Sequence, residues 1–112
     1  MQINNEMLLN ILYKKLQEDK FLLISISGSS MYPTFQHGDR LKIFIYSYDN
    51  LEIGDIIAYK KFNCHLTVHR IKDIIKRKNA HYLLTQGDNN TQVDEYCITK
   101  KEYWGKVELP MA

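Results

Sequence analysis

Leu66-Thr67-Val68-His69-Arg70-Ile71-Lys72-Asp73-Ile74-Ile75 is dense in β-branched residues and reads as a strand, because a branched Cβ fits a pleated surface better than a helix. The turn signal Lys78-Asn79 follows it, and Tyr82–Thr85 is the next β-prone run. Ile56–Lys60 precedes it, with Phe21–Ile26 and Leu41–Tyr46 further upstream and Tyr103–Leu109 near the end. Pro33, His37-Gly38-Asp39, Asp49-Asn50, Gly54-Asp55 and Gly87-Asp88-Asn89-Asn90 punctuate these runs, each a residue type that turns favour for its own steric or hydrogen-bonding reason. Short strands at this spacing predict a mainly β fold, a compact and mostly antiparallel domain.

Only the N-terminal segment has a different period. Between Ile3 and Asp19 the apolar residues Ile3, Met7, Leu8, Ile11, Leu12 and Leu16 form one helical stripe, with Lys14, Lys15, Gln17 and Glu18 mostly off it. The expectation is one amphipathic helix, within residues 1–20, packed on or beside a β domain of residues 21–112. Its polar face mixes both charges, unlike the basic face of a membrane-surface helix.

Composition narrows the class. A chain of 112 residues fits one domain, and 45% hydrophobic with 25% charged residues suits a globular protein. A net charge of +2 with scattered lysines does not fit a nucleic-acid partner. The densest basic group, Lys72, Lys76, Arg77 and Lys78, reads as a solvated turn. Two cysteines, Cys64 and Cys97, make no disulfide framework and are expected as free thiols. No run approaches the roughly 18 apolar residues of a transmembrane helix. Glu6, Lys14, Lys15, Glu18 and Asp19 do not read as a secretory leader. These features predict a cytoplasmic protein, with room for a peripheral membrane contact and no cofactor.

The chemistry-bearing stretch is Ser27-Gly28-Ser29-Ser30-Met31-Tyr32-Pro33-Thr34. Small residues allow a bound peptide to approach the backbone, and Pro33 stiffens the chain just beyond them. Backbone N–H groups of such a turn can stabilise an oxyanion. From composition alone, a Gly-Ser-Ser segment is most often only a turn. Gly28-Ser29-Ser30-Met31-Tyr32-Pro33-Thr34, however, resembles the nucleophile box of type I signal peptidases. That resemblance implies Ser30, the serine before Met31, as nucleophile. It also implies that Gly28, Ser29 and Met31 line the substrate site, with Met31 near the substrate channel.

A serine hydroxyl needs a neighbouring base. Leu66-Thr67-Val68-His69-Arg70-Ile71 is similar to the base-bearing strand of this family. His69 stands where most bacterial members carry lysine and the archaeal and endoplasmic-reticulum type carries histidine, and Arg70 matches the basic residue that follows. An imidazole, with an ordinary pKa near ~6.5, is already mostly neutral at neutral pH. It needs instead a carboxylate that fixes its tautomer. Tyr82-Leu83-Leu84-Thr85-Gln86-Gly87-Asp88-Asn89-Asn90 resembles the next family box, with Asp94 following. The resemblance implies Asp94 as orienter and Asp88 as organiser of the turn, the reverse assignment being the alternative. His37-Gly38-Asp39-Arg40-Leu41, Glu52-Ile53-Gly54-Asp55-Ile56-Ile57 and Tyr103-Trp104-Gly105-Lys106-Val107 match structural segments, so the likeness runs from about Leu23 to Val107.

The implied activity is a serine endopeptidase that removes a leader or signal-like segment from a precursor, with an accessory protein as a possible partner. Three other readings compete with it. A catalytically idle peptide-binding or scaffold domain of the same fold would not need Ser30, His69 and Asp94 together. Self-cleaving repressor-type peptidases normally use a lysine base and carry a DNA-binding region, and the 29 residues before Ser30 show one helix only. Cys64, His65 and His69 would be three ligands of a metal site, but no convincing fourth accompanies them.

Overall fold

The computed structural model describes residues 6–62 and 65–109. Helix α1 (Glu6–Asp19) leads into β1 (Phe21–Ser25) and β2 (Arg40–Phe44), then a short 3-10 turn (Tyr48–Asn50). Five further strands follow: β3 (Ile56–Tyr59), β4 (Thr67–Lys76), β5 (His81–Gln86), β6 (Cys97–Ile98) and β7 (Tyr103–Val107). They form one sheet in the order β1-β2-β7-β3-β4-β5-β6, with every pairing antiparallel. The fold is therefore mainly β with one N-terminal helix, as the strand spacing predicts.

Strand β3 explains how the core is divided. Ile56, Ile57, Ala58 and Tyr59 are all buried, as expected of a strand with both faces covered. Ile56 and Ala58 face a cluster that holds Leu9 and Leu16 of α1 with Leu22, Met31, Phe35, Ile43, Trp104 and Val107. Ile57 and Tyr59, on the alternate face, join Tyr48, Leu51, Ile71, Leu83 and Ile98. His69 pairs across from Ile57 on β4, and Thr85 pairs across from Ile71 on β5.

Helix α1 is rotated relative to the expected stripe. Leu9 and Leu16 are fully buried, while Met7 and Ile11 are 71% and 58% exposed; Ile3 lies outside the described residues. Leu9, Leu12 and Leu16 satisfy helical spacing as well as the expected set does, so periodicity alone does not choose the face. Tyr13 packs edge-on against Trp104, with ring centroids 5.1 Å apart. The basic group at 72–78 also differs from expectation. Lys72 and Lys76 belong to β4, and only Arg77 and Lys78 fall in the turn. Cys97 is a half-buried free thiol on β6, and Cys64 lies outside the described residues.

Candidate active site

The loop of residues 26–39 between β1 and β2 carries the first group. Its base is closed by the Ile26 N–H on the Asp39 carbonyl at 2.9 Å and the Gly38 N–H on the Ile26 carbonyl at 2.8 Å. Gly28 adopts φ +84°, a left-handed conformation that glycine enters without steric cost. Its N–H donates to His37 Nδ1 at 3.0 Å, so His37 braces the loop and is more than a turn residue. Met31 and Phe35, only 1% and 3% exposed, plug the loop into the core. Met31, expected near the substrate channel, is turned into the core here. The thioether is buried, and its Sδ accepts the Asp88 N–H at 3.4 Å. A largely polar loop needs an apolar anchor to hold a fixed shape, and Met31 is one.

Anchored in this way, Ser30 is half-buried, with its Oγ 3.3 Å from His69 Nε2. His69 is 8% exposed. Its Nδ1 lies 2.7 Å from Asp94 Oδ2. An Nδ1–H donated to that carboxylate leaves the Nε2 lone pair directed at Ser30. The Ser30 N–H has no acceptor among the described residues.

Asp94 is held by hydroxyls and backbone. Its N–H donates to the Thr85 carbonyl at 2.8 Å. Thr85 Oγ1 donates to Oδ2 at 2.6 Å, and the Tyr59 hydroxyl donates to the same oxygen at 3.2 Å. Burial pushes the Tyr59 phenol far above the usual tyrosine range, so it remains a proton donor. Asp88 is in a different setting. Arg70 grips both its oxygens, Nε to Oδ1 at 2.8 Å and Nη2 to Oδ2 at 2.9 Å, and the Thr34 hydroxyl also donates to Oδ2. The Arg70 hydrogen bonds hold the Asp88 carboxyl below its ordinary range, against burial, with Thr34 adding to the effect. Asp88 thus ties β4 to the loop bearing Ser30, while Asp94 faces the imidazole.

The turn at residues 87–90 closes over Ser30. The Asn89 N–H donates to the Ser30 carbonyl at 2.8 Å, and Asn89 Nδ2 donates to the Ser29 carbonyl at 3.1 Å. Gly87 makes this approach possible, because a Cβ there would sit 2.6 Å from the Ser30 carbonyl oxygen and 2.8 Å from Asn90 Nδ2. Gly87→Ala is therefore expected to lower the unfolding free energy by about 1–3 kcal/mol, read from urea denaturation. An unchanged midpoint and slope would mean that the turn has slack that the packing does not suggest.

Gly28 and Ser29 are exposed beside Ser30. Beyond Asp94 an open groove of about 670 Å³ is lined by Phe62, Asn89, Gln92, Val93, Asp94 and Tyr96, among others. Both ring nitrogens of His69 face Ser30 and Asp94, so His69 is not directed at a metal shared with His65. Tyr59, Thr85, Tyr96, Thr34 and Asn89 take part in this arrangement without standing out in the sequence. The available signal was the hydroxyls of Tyr59 and Thr85 on inward strand positions, since a buried hydroxyl requires a partner.

The Peptidase S24-like family model matches residues 1–108. The chain belongs to the Peptidase S24-like family. It is also similar to the signal peptidase complex catalytic subunit SEC11 of Debaryomyces hansenii, 36% identical over 84 residues, covering 72% of this chain and 48% of that protein. The SEC11 subunit of Clavispora lusitaniae is 35% identical over 83 residues, covering 72% and 48%. That of Candida tropicalis is 34% identical over 85 residues, covering 74% and 49%. The chain spans about half the length of these curated relatives. These catalytic subunits of the signal peptidase complex overturn the expectation of a cytoplasmic protein. That expectation rested on missing apolar segments. No helix among the described residues is long and apolar enough to cross a membrane, but this does not assign a compartment.

Proposed function

We propose that this Peptidase S24-like chain is a serine endopeptidase that cleaves a leader or signal-like segment from a precursor polypeptide. Residues 21–112 would hold the catalytic groups, with α1 as a buttress. The observation that carries the reading is the unbroken line from Ser30 Oγ through the His69 ring to Asp94 Oδ2, at 3.3 and 2.7 Å. An idle binding module has no use for such a line, and the similarity to SEC11 catalytic subunits supports hydrolysis.

In this mechanism Ser30 Oγ attacks the scissile carbonyl carbon while its proton passes to His69 Nε2. The carbonyl electrons move onto oxygen, where the unpaired Ser30 N–H is available as a donor. Asp94 keeps the Nδ1 proton in place and balances the imidazolium. His69 then gives its Nε2 proton to the departing amine as the C–N bond breaks. Water, deprotonated by the same nitrogen, releases the acyl group and restores Ser30. The Oγ–Nε2 separation is at the long end of a hydrogen bond and shortens as substrate fills the site. Asp88 acts through the Ser30 loop, Gly28 and Ser29 border the bound chain, and the groove beside Asp94 receives further substrate residues. A partner protein, of the kind with which SEC11 subunits form their complex, would present the precursor.

Incubation of the purified chain with an internally quenched precursor peptide, alanines flanking the scissile bond, tests this. Cleavage should be seen. No cleavage of this or any leader peptide, even when co-purifying proteins are added, would overturn the reading.

A further inference from the structure

Tyr59 is a fully buried phenol that the steps above leave without a task. Four polar atoms surround its hydroxyl: Asp94 Oδ2 and the Tyr96 hydroxyl at 3.2 Å, Thr85 Oγ1 at 3.3 Å, and His69 Nδ1 at 3.4 Å. A tyrosine hydroxyl has one proton and can accept others. His69 Nδ1 and Thr85 Oγ1 already direct their protons to Asp94 Oδ2, at 2.7 and 2.6 Å. The arrangement that satisfies every group sends the Tyr59 proton to Oδ2 as well, with the Tyr96 hydroxyl donating to Tyr59. Burial pushes the Tyr96 phenol up too, so both members of this relay stay protonated.

No cation among the described residues forms an ion pair with Asp94 apart from His69 itself. A carboxylate clamped by neutral donors stays fixed in position yet keeps its whole charge for the imidazolium. A carboxylate clamped by a guanidinium, as Asp88 is, does not. We propose that Tyr59 is the positioning residue of this site: its hydroxyl, backed by Tyr96, locks Asp94 Oδ2 onto His69 Nδ1 without neutralising it. Tyr59 suits the task because its ring is fully buried on β3 beside the groove-lining Tyr96, whose ring centroid is 6.2 Å away. This inference rests on the hydrolytic reading above.

The test measures kcat and KM on the quenched alanine-flanked peptide for Tyr59→Phe, Asp94→Asn and the double variant, with Ser30→Ala in parallel. Tyr59→Phe should lose about tenfold in kcat at unchanged KM, the size expected when a catalytic dyad loosens slightly. In the Asp94→Asn background the same change should cost less than about twofold, because the group it positions is gone. Unchanged kcat in Tyr59→Phe, or the full tenfold loss persisting in the Asp94→Asn background, overturns the proposal. If Tyr59→Phe does not fold, Tyr96→Phe carries the same cycle. About threefold lower kcat that vanishes beside Asp94→Asn supports the relay, and no loss or an additive loss overturns it. Activity retained in Ser30→Ala defeats the hydrolytic reading as a whole. A dead Ser30→Ala beside a wild-type Tyr59→Phe defeats the positioning role alone.

Discussion

Ser30→Ala and His69→Ala are each expected to reduce turnover of the quenched precursor peptide by on the order of 10⁴-fold or more, with the fold retained. Groups that act as one unit are not additive, so the double variant should fall little below either single one. Retention of the fold follows from the surroundings. Ser30 is half-buried in a loop whose anchors are Met31 and Phe35, so loss of one hydroxyl opens no core cavity. His69 is more enclosed, but its removal does not orphan Asp94, because Thr85 and Tyr59 still donate to Oδ2. Thermal unfolding followed by circular dichroism checks the fold, and peptide turnover checks the chemistry. Either single variant within tenfold of the parent would remove these residues from the reaction.

How far the sequence carries can be judged from particular residues. The strands at 56–59 and 67–76 were legible because their β-branched runs end at turn residues. Strand β6 was not, since two residues, Cys97 and Ile98, have no periodicity to detect. The buried face of α1 was not legible either: seven apolar residues within ten positions, Met7 to Leu16, satisfy more than one stripe, and Trp104, distant in sequence, favours the face holding Leu9. For the site, motif order pointed to Ser30, His69 and the pair Asp88 and Asp94. Which carboxylate faces the ring is a matter of how the turn at 87–90 folds back on Ser30, and six residues of spacing do not encode it. Tyr59 was invisible for the same reason: its hydroxyl meets Asp94 only through the β3–β4–β5 register.

That register makes the two aspartates separable by experiment. Asp94→Asn is expected to lower kcat by about 10³–10⁴-fold with little loss of stability, because an amide cannot balance the imidazolium and favours the wrong tautomer. Asp88→Asn should act chiefly on stability. It removes the charge that receives both Arg70 bonds, at a cost of about 2 kcal/mol, below the 3–5 kcal/mol of a fully enclosed pair because the Arg70 side chain is 27% exposed. The pH dependence follows from the direction of the shift. The folded Asp88 carboxyl lies below its ordinary value, chiefly through the Arg70 hydrogen bonds. Its contribution is therefore complete above about pH 4, where an unfolded aspartate is ionised, and is lost as pH falls further through the folded value. Urea midpoints of parent and Asp88→Asn should accordingly differ at pH 7 and converge below about pH 4. Asp94→Asn should show its deficit in turnover at neutral pH with a near-parental midpoint. An exchange of these two phenotypes would make Asp88 the residue that acts on His69, and would require the turn at 87–90 to rearrange when substrate binds.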